Sequence, residues 1–378
     1  MLLKAALLTG NQALDAWQRW KLMVDIDRLD QGSHRLLPKL YHNLKAELPG
    51  DPLMGRLKGV YRQTWYKNQL LFHHTATVLH SLHQASIETI TLKGAALVVV
   101  NYQDEGLRHM DDFDVLVRPE QALIAMQVLK DSGWQSDYQS PDALLTYEHA
   151  AEFRDSAKRK IDLHWRAIWE GRRSISEDDF WEAAVKIKVA GVETLALYPS
   201  DQLLHVCVHG ANWNVVPPLR WVADAMTIIQ SSSPVDWGRL VEQAEKRELT
   251  LLMHETLAYL QGLLGAPVPS VVLQSLRATP FSYREKLFFQ TRTSSHIALR
   301  RLPVLWHWYE SFRLASTDDS TTRRLVNLLK YFQSLWHLEH FWQVPLHIAY
   351  KGARALVHIP YWYVRNKLVR RRPAFPHN

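Results

Sequence analysis

The stretch RHMDDFDVLVRPE, residues 108–120, most constrains what this chain can fold into. Three aspartates, Asp111, Asp112 and Asp114, sit against an apolar run, and no Lys or Arg separates them. FDVLV (113–117) reads as a buried strand. In a strand, residues two apart share a face, so Asp112 and Asp114 point the same way while Phe113 and Val115 turn into the core. Two carboxylates about 5 Å apart at an effective dielectric of ~20 repel by roughly 3 kcal/mol. A fold carries that cost with a proton, a basic partner or a cation. Arg108 lies within reach as a partner, and oxygen ligands of this kind suit Mg2+ or Mn2+. Acid pairs at strand ends are also often simply solvated, which is the expectation for Asp111.

A third carboxylate follows. KIDLHW places Asp162 in another strand, with His164 on the same face among Ile161, Leu163 and Trp165. If the two strands are neighbours, three acids converge at one sheet edge, an arrangement that supports metal-assisted phosphoryl transfer. Upstream, in LKGAAL, Gly94 follows a strand and precedes a helix. Backbone N–H groups at such a turn can hold a phosphate, and Lys93 adds a charge, although an ordinary strand-to-helix turn looks the same. The chain has no Walker-type loop and no G-x-G-x-x-G, which argues against P-loop and dinucleotide-binding enzymes.

Periodicity divides the chain into four regions. Residues 1–85 carry apolar positions at three- and four-residue spacing and read as helices. Residues 86–170 read as a β-α-β-α-β-β block, the only strand-rich part expected. It contains IETITL (87–92), FDVLV, a helix from Pro119 to Gly133, and AAEFRD and KRKIDLHWRA as an antiparallel hairpin. Helices return over 171–315, one capped by Pro199-Ser200-Asp201 and one entered through Pro218. Residues 316–378 form an aromatic and basic helical tail behind a turn-rich hinge at ASTDDSTT (315–322). The expected class is α+β, a small mixed sheet embedded in a mostly helical body. His205, Cys207 and His209 are read as packed helix residues, since no second cluster completes a four-ligand metal site. Asp224 is expected to pair with Arg220 one helical turn earlier.

Composition narrows the function. At 378 residues, 47% hydrophobic and 22% charged, the chain is globular in type. Its one cysteine, Cys207, rules out an intrachain disulfide and fits a reducing, cytosolic setting. Only a short AALL follows Lys4, so no secretory signal is expected, and no apolar run approaches the ~18 residues that span a bilayer. The formal charge of +7 equals the seven cations at Lys351, Arg354, Arg365, Lys367, Arg370, Arg371 and Arg372, beyond which no acid occurs. The rest is neutral on balance, unlike a uniformly basic nucleic-acid binder. The tail's Trp, Tyr and cations suit either a peripheral contact with an anionic membrane or a helical cap with a basic end.

Together, TLKGAALVVVNY, RHMDDFDVLV, a helix ending in SGW, and KIDLHW resemble the nucleotidyltransferase superfamily with the DNA polymerase β-type palm. DQLLHVCVHGANW and LRWVADAMTII extend the likeness to its bacterial branch of large nucleotidyltransferase-family proteins. The resemblance implies that Asp112 and Asp114 bind catalytic Mg2+ or Mn2+ and that Asp162 serves the metal or the acceptor hydroxyl. It implies that Lys93, Gly94 and Arg108 lie at the nucleotide phosphates. The implied activity moves a nucleoside monophosphate from an NTP to an acceptor hydroxyl on a small molecule, sugar, peptide, protein or RNA end. Two departures leave open a palm that binds a nucleotide or partner without turnover. Ala95 stands where the superfamily usually has Ser or Gly, and seventeen residues, 95–111, separate Gly94 from Asp112.

Overall fold

A computed structural model describes residues 1–137, 144–145, 148–169, 175–210, 219–293, 320–336, 338–351 and 353. The chain divides into two compact units, Met1–Asp137 with Glu148–Leu314 and Tyr138–Tyr147 with Ala315–Asn378.

The first unit opens with helices α1 (Leu2–Leu7), α2 (Gly10–Met23), α3 (Gln31–His34), α4 (Leu37–Leu44) and α5 (Met54–Gln84). In α5 the buried positions Leu57, Thr64, Asn68, Phe72, Thr75, Leu79 and Leu82 recur at helical spacing, so one stripe of its 31 residues faces the interior. That length spans ~47 Å and carries one element from the amino-terminal helices to the sheet. Trp17 of α2 is fully buried, and its indole N–H donates to Asp51 at 2.9 Å; Lys21 shares the same carboxylate at 2.8 Å. The buried donor is thereby satisfied.

The sheet has six strands: β1 (Ile90–Thr91), β2 (Phe113–Leu116), β3 (Ala150–Arg154), β4 (Lys160–His164), β5 (Val185–Val189) and β6 (Val192–Ala196). Their spatial order is β3-β4-β2-β1-β6-β5. β2 runs parallel to β4 and antiparallel to β1, and β1 runs parallel to β6. All four residues of β2 are buried, as a central strand covered on both faces requires. Between β1 and β2 lie α6 (Lys93–Leu97) and a π-helical turn, Val98–Tyr102; α7 (Ala122–Asp131) follows β2.

The hairpin β5–β6 departs from the expectation that only helices follow residue 175. VKIKV alternates, but Lys186 and Lys188 point to solvent on an edge strand, so the apolar signal is thin. The turn is Ala190-Gly191, both at positive φ, +46° and +85°. Alanine at the first of these positions hides the Asn-Gly or Asp-Gly signature that marks such turns.

Helices α8 (Asp178–Ala183), α9 (Pro199–Gly210), α10 (Arg220–Ile229), α11 (Trp237–Lys246), α12 (Thr250–Leu264), α13 (Ser270–Ala278) and α14 (Tyr283–Thr293) complete this unit. Asp201 on the first turn of α9 is fully buried and accepts from the Arg239 guanidinium at 2.8 Å. Asp179 gathers Lys246 and Arg247 at 2.7 and 2.9 Å, tying α8 to α11. The class is α+β, as expected.

In the second unit, α15 (Thr321–Leu335) buries Tyr331 and Phe332, and Phe332 stacks on Trp336 at 4.9 Å. A further helix over 343–350 leaves Leu346, Ile348 and Tyr350 exposed, beside exposed Phe341 and Trp342. No helix among the described residues is long and apolar enough to cross a membrane. Most of the expected hinge, and the basic run from Arg354, lie outside the described residues.

Candidate active site

Strand pairing builds the site. β1 meets β2 antiparallel, with Thr91 opposite Val115, and the Leu92 N–H donates to the Asp114 carbonyl at 3.0 Å. The next residue, Lys93, therefore emerges beside Asp114. Its backbone takes φ +45°, a left-handed state that a non-glycine residue adopts at a cost. Its ammonium reaches the Asp114 Oδ1 at 2.5 Å. On the other flank, the parallel register of β2 and β4 sets Asp114 directly opposite Asp162 and Leu116 opposite His164. The His164 Nε2 lies 3.1 Å from Asp114 Oδ1 and 3.5 Å from the Lys93 Nζ. Ligand atoms of Asp114, Asp162 and His164 all lie within 4.8 Å of one another.

The charges do not balance. Burial alone would raise the pKa of Asp114, but the Lys93 ammonium and the His164 ring outweigh it and hold the carboxyl well below the usual range. Asp162 has no hydrogen-bonded or ion-paired counter-charge among the described residues. Burial and then the neighbouring Asp114 charge push it up to about 7. Asp112 is raised too, by burial first and Asp114 second. The His164 imidazole is held neutral by burial and by Lys93, and its buried Nδ1 has no hydrogen-bond partner. Asp114 and Asp162 side by side, with Lys93 paired to only one of them, suit a hard divalent cation. The group whose ligand atoms converge, Asp114, Asp162 and His164, fits one, and Asp112 lines the same cleft without belonging to that group. Asp111, by contrast, is half exposed and turned to His109 at 2.7 Å and to Arg35; the His109 hydrogen bond, then Arg35, lower it to about 2.

Arg108 sits behind this cluster. It is 6% exposed and forks onto Asp224 through Nε and Nη2 at 2.8 and 2.9 Å. Tyr102 donates to the same carboxylate at 2.8 Å. Asn68 of α5 donates to the Arg108 carbonyl at 2.7 Å and fixes the loop that carries it. Asp224 thus takes its partner from the loop before β2 rather than from Arg220 on its own helix. A bidentate fork across the fold outcompetes a single contact one turn away. A Cβ on Gly94 would stand 2.5 Å from the Arg108 Nη1, so the absence of a side chain there is what admits the guanidinium.

These groups open on a cleft of about 210 Å3. Lys93, Gly94, Arg108, Asp112 and Asp114 line it, and Asp162 flanks Asp114. His205, His209, Arg220 and Trp221 also line it and were not singled out as site residues. The signal for the histidines was present, because residues four apart share a helix face; their rings lie 4.8 Å apart. Nothing local in LRW marks Arg220.

A mixed sheet with neighbouring acidic strands, set in a helical body, is the palm of a nucleotidyltransferase. A family described as uncharacterised nucleotidyltransferase matches residues 31–265, and the chain belongs to that family. Among solved structures it is similar to a lincosamide antibiotic adenylyltransferase with lincomycin bound, at 14% identity and a TM-score of 0.31 over 41% of this chain and 93% of that one. It is also similar to an antigenic nucleotidyltransferase-like protein from Paracoccidioides brasiliensis, at 14% identity and a TM-score of 0.35 over 57% and 95% of the two chains. No curated protein matches the chain.

Proposed function

We propose that the protein transfers a nucleoside monophosphate from an NTP to an acceptor hydroxyl with the help of Mg2+ or Mn2+. The observation that carries this reading is the parallel register that puts Asp162, lacking a counter-charge, beside Asp114. Asp112 and Asp114 would hold the cation, with Asp162 beside it to serve the acceptor hydroxyl. A bound cation supplies Lewis-acid polarisation of the phosphate oxygens. Gly94 lets the Arg108 guanidinium pack against the turn that lines the cleft, and Lys93 exchanges part of its contact with Asp114 for phosphate. Asp162, opposite Asp114 on the neighbouring strand, takes the proton of the acceptor hydroxyl. The hydroxyl oxygen bonds to the α-phosphorus, the bond from that phosphorus to the bridging oxygen breaks, and pyrophosphate leaves with the electron pair.

The acceptor class stays open: a small molecule, sugar, peptide, protein or RNA end. The test is incubation with each labelled NTP, Mg2+ or Mn2+ and host lysate, followed by identification of what acquires label. Label should appear and vanish with Asp112→Asn and Asp114→Asn. A protein that transfers none of the four nucleotides, yet keeps a partner in both variants, is instead a nucleotide- or partner-binding scaffold. The Lys93–Asp114 contact and Ala95 favour that second reading. We also propose that the tail makes a peripheral membrane contact in a cytosolic setting. Exposed Phe341, Trp342 and Tyr350 and the neighbouring basic run support it.

A further inference from the structure

With Lys93 assigned to Asp114 and Arg108 to Asp224, one further cation lining the cleft, Arg220, makes no ion pair among the described residues. Arg220 opens α10, is partly buried, and makes no hydrogen bond or ion pair among the described residues. Burial and the nearby Arg108 and Arg35 charges weaken its hold on its proton, offset in part by Asp224 and Asp112. His205 of α9 lines the same cleft at 1% exposure, and its Nε2 has no hydrogen-bond partner among the described residues. The N-cap residue of α10, Leu219, offers no side-chain cap to its first turn. A partly buried guanidinium and a buried imidazole nitrogen left incomplete in one cleft are costly unless an oxyanion completes them.

We infer that Arg220 and His205 form an oxyanion subsite for the β- and γ-phosphates of the nucleotide, the part that leaves as pyrophosphate. The inference rests on the proposed nucleotidyl transfer. Asp112, Asp114, Gly94 and Arg220 line one cleft of about 210 Å3, so a phosphate chain held near the carboxylates shares it with Arg220. Arg108 then acts from behind, positioning Gly94 and Asp224, while Arg220 makes the direct charge-assisted contact.

Titration calorimetry of the full chain with Mg2+ tests this, using inorganic tripolyphosphate, ATP and AMP as probes. Arg220→Gln should weaken ATP and tripolyphosphate by about tenfold or more and AMP by less than about twofold. Arg220→Lys, which keeps the charge without the fork, should fall between. Unchanged affinity for ATP and tripolyphosphate, or an equal loss for AMP, overturns the subsite, as does a wild-type protein that binds no tripolyphosphate. If Arg220→Gln does not fold, the ATP-to-AMP ratio in Arg220→Lys decides in the same way. A protein that binds tripolyphosphate through Arg220 but transfers no nucleotide removes only the activity. Full transfer by Arg220→Gln with an unchanged KM for the NTP removes only the subsite.

Discussion

Asp114 and Asp162 stand side by side on parallel strands, and among the described residues Asp114 alone of the two is ion-paired, to the Lys93 ammonium at 2.5 Å. That asymmetry separates their roles. One carboxylate is ionised and fixed; the other keeps a proton near neutrality until something cationic takes its place.

Replacing Asp114 or Asp112 with Asn should lower nucleotide transfer by about 10^3-fold or more, since metal positioning and charge stabilisation fail together. Circular dichroism should show the fold intact. Residual transfer above about a tenth of wild type in both variants would remove these carboxylates from the chemistry.

Stability should depend on pH through Asp162. Its pKa is raised from 3.8 to about 7, so the folded state holds the proton more tightly than the unfolded chain. The contribution is present in full below 3.8, falls as pH rises and is lost once pH passes about 7. Thermal melts across that window should show the decline, Asp162→Asn should flatten it, and Mn2+ or Mg2+ should restore stability at the alkaline end. Because the cation must displace the proton, its affinity should climb with pH up to about 7. Melts of the wild type and Asp162→Asn that run parallel would contradict the assignment.

Asp224→Ala strands the Arg108 guanidinium in the interior and should cost about 3–5 kcal/mol in urea unfolding. Arg220→Gln should cost less than about 1 kcal/mol, because it breaks no ion pair. Equal losses would mean that Asp224 depends on Arg220 after all.

Gly94→Ala drives a methyl group against Arg108 Nη1 and the Met110 sulfur, at 2.5 and 2.9 Å. Displacing the guanidinium should destabilise by about 1–3 kcal/mol and lower nucleotide affinity. An Ala variant with wild-type melting and binding would show that Arg108 shifts freely.

Flotation with anionic liposomes should carry the full chain upward and leave a chain lacking 324–378 behind, with binding falling as salt rises. Equal, negligible flotation of both would dismiss the membrane contact.

Local chemistry made part of this protein legible from its residues. Alternation and β-branching located β1, β2 and the β3–β4 hairpin, and apolar spacing located the long α5. The Asp112-x-Asp114 pair, beside an apolar strand, demanded compensation wherever the strand went. The hairpin β5–β6 escaped notice because an exposed edge strand and an alanine at positive φ carry weak signals.

Partners across the fold were another matter. Spacing proposes only neighbours along one helix or strand, so it offered Arg220 to Asp224, whereas the loop pinned by Asn68 delivered Arg108. The same limit hid Arg220 as a cleft residue, whereas the helical spacing of His205 and His209 gave their shared face but not the cleft it lines. The sequence by itself determined the kinds of element and the acidic chemistry of β2 and β4, because both follow from local periodicity and residue type. Only the tertiary structure decided which carboxylate meets which cation, because that depends on strand register and helix packing between residues far apart in the chain.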